Sequence, residues 1–195
     1  MKAHQALLTA AIERDGEAQR AMMAGDLALA REAFLAAADL YRQSWEQAPP
    51  RSYGRLVGML KAAVLSGDAT ETAAAADYAR VALADDADAA GSTTASYALA
   101  LAALIEGDDA AASTNGATMR GGSEAFDRTA TAIAALAGQD RDGYAAAVAE
   151  IVRDFEQRSA HLTGVAIADT ALVLERLAAS RGLAAGLDSE VLPAS

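Results

Sequence analysis

The chain has 195 residues, a net charge of −11 and no cysteine. That length suits a single domain spanning 1–195 with a sizeable core. The lack of thiols excludes a disulfide framework and a thiolate metal site, and the acidic balance argues against nucleic acid as a partner because it repels phosphate backbones.

About 55 residues are alanine, the residue that loses least on entering a helix. Three prolines and 5% aromatics leave little material for strands. The expected class is all-α, with a core of Leu, Val and Ala at close helix spacing. "MKAHQALLTAAIERDG" reaches Glu13 and Arg14 before any leader-like apolar run, and no window approaches the ~18 apolar residues of a membrane span. These features predict a cytoplasmic protein with no membrane association. Lys2 and Lys61 are the only lysines. Asp-rich turns such as "DDADAAG" with so few lysines fit either a salt-rich cytoplasm or a high-GC genome.

In chain order, the periodicity predicts about nine helices, near 3–24, 26–47, 52–66, 68–84, 92–106, 108–119, 123–137, 141–158 and 163–181. Asp15-Gly16 is a candidate break in the first. The sixth has the poorest composition, "ASTNGATMRGG". The tail from Gly182 is expected as a packed extended segment. A Gly-Asp pair recurs at Asp26, Asp68 and Asp108, with a looser "LAGQD" ending at Asp140. Such spacing belongs to repeated helical hairpins: Gly closes one helix in the left-handed conformation, and Asp caps the amides that open the next. In "DATE" a Glu follows three residues after Asp68, as in a capping box.

Gly25-Asp26-Leu27, then Ala30, Phe34 and Ala37, resemble the second helix of a tetratricopeptide repeat over residues 14–45. The resemblance implies stacked antiparallel hairpins, an α-solenoid. Later hairpins depart from it, with Thr72 and Ala76 at the matching offsets. A second resemblance covers residues 123–193, where "AIAALAGQDRDGYAAAVAEIV", "FEQRSAHLTGVAIADTALVLERLAASRGL" and "LDSEVLP" are similar to the C-terminal part of the immunity protein 49 family. It implies neutralisation of a toxin by occlusion.

No enzyme signature is present. "GATMRGGS" has P-loop spacing, but Gly122 stands where the lysine must be. "DADAAG" begins like a calcium loop, yet Tyr97 occupies the position of the closing Glu. His4 and His161 lie far apart, and His161 is expected as a capping or surface residue. Neither cofactor nor metal is implied. The stretch "YRQSWEQAPPRSYGRLVGMLK" gathers the only Trp with cations, and Arg and aromatic side chains dominate binding hot spots. Tyr41, Trp45, Arg51, Tyr53 and Arg55 are therefore the candidate binding residues, with core packing of Trp45 and Tyr53 the alternative. The expected function is a non-enzymatic module for a protein or peptide partner of basic character. The alternative is an anion sensor or enzyme in which Arg51, Arg55 and Arg158 converge in an inter-hairpin cleft.

Overall fold

A computed structural model describes residues 2–194, and among them nine α-helices and no strand. The helices are α1 (Ala3–Met23), α2 (Leu27–Glu46), α3 (Gly54–Ser66), α4 (Ala69–Ala84), α5 (Thr93–Glu106), α6 (Asp109–Thr118), α7 (Glu124–Ala137), α8 (Arg141–Glu156) and α9 (Asp169–Ala179).

The recurring Gly-Asp pair does what its chemistry predicts. Gly25, Gly67 and Gly107 all have φ between 74° and 79°. The Asp26, Asp68, Asp108 and Asp140 carboxylates each accept a hydrogen bond from a backbone amide in the first turn that follows. The fourth turn differs: Gly138 stays right-handed and Gln139 takes the positive φ, 54°. Each cap satisfies amides that a helix start leaves without a partner.

Two local expectations need correction. Asp15-Gly16 does not break α1, which runs through both residues. The last helix begins at Asp169, not near 163. Gly164 turns left-handed at φ 73°, and the Ala168 amide donates 2.8 Å to the Val191 carbonyl of the returning tail. Residues 157–168 are thus a strap between α8 and α9.

Successive helices pack as hairpins from α1 to α8, but α9 turns back to lie against α3, α7 and α8. Two arginines seat it. Arg176 donates to the Val64 and Leu65 carbonyls at 2.9 and 2.7 Å, and Arg181 donates to the Leu104 carbonyl at 2.8 Å. Those are C-terminal carbonyls of α3 and α5, where the helix dipole favours cations. Buried alanines such as Ala76, Ala79, Ala98 and Ala171 set the helix spacing, while Phe34, Leu56, Leu101, Ile133 and Leu174 fill it. Leu183, Val191 and Leu192 bury the tail, as expected for a packed segment. No helix among the described residues is long and apolar enough to cross a membrane.

Candidate functional site

Where α1, α3 and the start of α9 meet, the apolar packing gives way to a polar cluster. Asp15 projects from the middle of α1. Its carboxylate accepts from Gln19 Nε2 at 3.1 Å, one helical turn on, and from the Tyr41 hydroxyl of α2 at 3.2 Å. Tyr41 can reach it because α3 carries Gly58: a Cβ there would stand 2.8 Å from the tyrosine ring. Gln19 Oε1 in turn accepts from the Thr163 hydroxyl of the strap. Gly16 allows that approach, since its missing Cβ would lie 3.1 Å from the Thr163 carbonyl.

Lys61 of α3 completes the cluster. Its ammonium stands 2.5 Å from Asp169 Oδ2 and donates to the Thr170 hydroxyl at 3.1 Å. Asp169 also accepts from the Thr170 amide at 2.7 Å, so the first residue of α9 is charged where the helix dipole favours an acid. Tyr97 of α5 adds a phenol that is 8% exposed and whose oxygen has no hydrogen-bond partner. Thr170 lies close enough to influence its acidity without meeting hydrogen-bond geometry. A buried polar atom without a partner costs free energy unless a ligand or water completes it.

Burial and the nearby Asp169 push the Asp15 carboxyl up to about 6, against the opposing pull of Lys61, Tyr41 and Gln19. Burial opposes the charge on Lys61, but the Asp169 carboxylate, with Asp15, outweighs it and holds the ammonium above the ordinary lysine value. Tyr97 is raised by burial and remains a neutral phenol.

The cluster faces open space on two sides. A cleft of about 750 Å³ runs outward past Tyr53, Arg55 and Thr94, and a cavity of about 360 Å³ extends beneath the strap toward α7 and α8. Asp15, Val57, Lys61, Thr94, Leu162 and Asp169 line both, so the two adjoin. The inner cavity carries a second charged group: Arg128 and Arg158 both bond Asp154, at 2.6 and 2.5 Å. Arg158 lies 3.7 Å above the Phe155 ring, whose other neighbour is the stacked imidazole of His161. His161 is not a capping residue. Its Nδ1 is buried and has no partner.

The five residues chosen from the sequence divide. Tyr41, Arg51, Tyr53 and Arg55 line the outer cleft, whereas Trp45 does not. Trp45 is half-buried against the core, with its ring 5.9 Å from that of Tyr53. Tyr41 and Tyr53 are buried, and Tyr53 donates to Asp86 at 2.9 Å. Arg51 reaches Asp88 at 2.7 Å, so the "DADAAG" turn serves as counter-charge for this stretch. Arg55 donates to Ser44 Oγ at 2.8 Å. The three arginines of the anion-clamp alternative do not converge: Arg51 and Arg55 face the outer cleft and Arg158 the inner cavity. Asp15, Lys61, Tyr97 and Asp169 escaped sequence reasoning. Their one available signal was the rarity of lysine, which makes Lys61 conspicuous.

Comparison with known proteins finds no matching family model, no curated relative and no similar solved structure. The geometry of the cleft stands alone as the guide to function.

Proposed function

We propose that the protein is a non-enzymatic binding module that holds a small polar molecule in the cleft between α1, α3, α5 and α9. The observation that carries this is the Tyr97 hydroxyl, buried without a partner beside Lys61 and Asp169 at the wall of an open cavity. A polar floor, aromatic walls and a mouth of this volume are the common build of ligand sites. α9 lies across the stack, so the occupant is smaller than the partner segment that an open solenoid groove would take. Solution NMR with mixtures of metabolite-sized polar molecules tests this. Shifts should concentrate at Lys61, Thr94 and Tyr97, and Thr94→Trp, which fills the cleft, should abolish them. Shifts confined to other surfaces, or none, would overturn the proposal.

A second reading, a protein partner, has one specific support. Leu162, on the strap at the mouth of both cavities, is 78% exposed. Large exposed apolar side chains at a cleft mouth suit a protein contact, and immunity-like occlusion of a toxin is its concrete form. Leu162→Asp should then weaken capture of the product of a neighbouring reading frame at least tenfold while the melting temperature holds.

A further inference from the structure

The inner cavity has two charged groups, and neither is balanced. On α1, α3 and α9, Lys61 is neutralised by Asp169. That leaves Asp15, whose hydrogen-bond partners Tyr41 and Gln19 are both neutral, as one surplus negative charge when ionised. On the far side, Arg128 of α7 and Arg158 at the start of the strap share the single carboxylate of Asp154 of α8, a surplus of one positive charge. Glu124 stands 3.6 Å from Arg128, but its side chain is 93% exposed and solvent weakens its effect. Between these groups the wall is apolar and aromatic: Phe126 packs edge-on against Tyr97, and Phe155 lies under Arg158. Two buried polar atoms without partners, Tyr97 Oη and His161 Nδ1, belong to residues lining the same space.

We propose that the ligand is a zwitterion of amino-acid or dipeptide size, with its ammonium group at Asp15 and its carboxylate at Arg128 and Arg158. This rests on the cleft being a ligand site, as argued above. A simple anion would leave the buried Asp15 uncompensated, which is costly, and a simple cation would leave the partly exposed Arg128 and Arg158 with Asp154 as their shared counter-charge. One molecule carrying both charges answers both groups. Its apolar side chain would contact Phe126 and Phe155, and its amide or carboxyl atoms would meet Tyr97 and His161. The raised pKa of Asp15, caused by burial and then by the Asp169 carboxylate, is in keeping with a carboxylate that Lys61 does not fully compensate.

The test is calorimetric titration of the full chain with the free amino acids and a set of dipeptides, beside amines, carboxylates and neutral amides of similar size. For each zwitterion that binds, its N-acetylated and C-amidated forms are titrated too. The expected result is a zwitterion that binds, with each blocked form at least tenfold weaker. In Asp15→Asn, which keeps one of the two hydrogen-bond acceptances on its amide oxygen, the penalty for N-acetylation should disappear. Blocked forms that bind as well as the parent, or binding by amines, carboxylates or neutral amides alone, would overturn the zwitterion while leaving the cleft as a ligand site. If no probe of any charge binds, both proposals fail. Should Asp15→Asn not fold, the wild-type comparison of blocked and free forms still decides.

Discussion

The Lys61 ammonium and the Asp169 carboxylate, 2.5 Å apart, tie the middle of α3 to the first residue of α9. Each side chain is mostly buried, 16% and 22% exposed. The pair closes the C-terminal helix onto the hairpin stack and forms the floor of the cleft.

Lys61→Met should therefore do more than lose an ion pair. It leaves Asp169 uncompensated near Asp15, and breaking one half of a buried pair costs about 3 kcal/mol or more. Adding Asp169→Asn should restore part of that loss by removing the stranded charge. Urea denaturation of wild type, the single variant and the double variant checks both statements; a double variant no more stable than Lys61→Met would contradict the second.

Asp15 predicts a pH dependence of definite sign. Its carboxyl titrates near 6 in the fold against an ordinary value of 3.8, so between those values the folded state binds the extra proton. Stability contributed by this group is greatest below pH 4, declines as pH rises to about 6, and is level above it. The shift corresponds to roughly 3 kcal/mol at most. Melting temperatures of wild type and Asp15→Asn between pH 4 and 7.5 isolate the effect, since the difference between the two curves should narrow toward low pH.

Gly58→Ala sets two effects against each other. Alanine favours a helix interior over glycine by about 1 kcal/mol, but its methyl group would stand 2.8 Å from the buried Tyr41 ring. Overpacking of that kind costs typically 1–3 kcal/mol, and the ring has little room to yield. We expect net destabilisation and a weakened Tyr41–Asp15 hydrogen bond. Gly58→Ala in a Tyr41→Leu background should be less harmful than in wild type, as thermal unfolding would show.

Trp45→Ala separates packing from recognition. The indole is half-buried against Tyr53 and lies outside the cleft. Its truncation should cost about 2 kcal/mol, less than the ~3–5 typical of a fully buried Trp. Ligand binding in the cleft should be unchanged. Chemical denaturation paired with a titration of any cleft ligand checks both; an affinity loss without a stability loss would place Trp45 in the binding surface.

The local structure of this protein was legible residue by residue. Gly25-Asp26, Gly67-Asp68 and Gly107-Asp108 mark helix ends because a left-handed glycine and a capping carboxylate act within one turn of chain, without help from elsewhere. The alanine content and the helical period settle the all-α class for the same reason. What lay beyond reach depended on distance. Asp15 looked like a possible break in a helix, because nothing nearby in sequence announces Tyr41, Gly58 or the strap that surround it. The start of α9 was misplaced because the Val191 carbonyl, more than twenty residues on, takes the Ala168 amide. The basic and aromatic stretch at Tyr41–Lys61 was visible by composition, yet burial divided it: Tyr41 and Lys61 turn to the polar floor, Trp45 to the core and Arg51 to an acidic turn. Short-range backbone chemistry determined the helices and most of their ends, the start of α9 excepted. Which charges stand unbalanced around a shared cavity was decided only when α9 folded back, because Coulomb interaction and desolvation depend on separation in space and not along the chain.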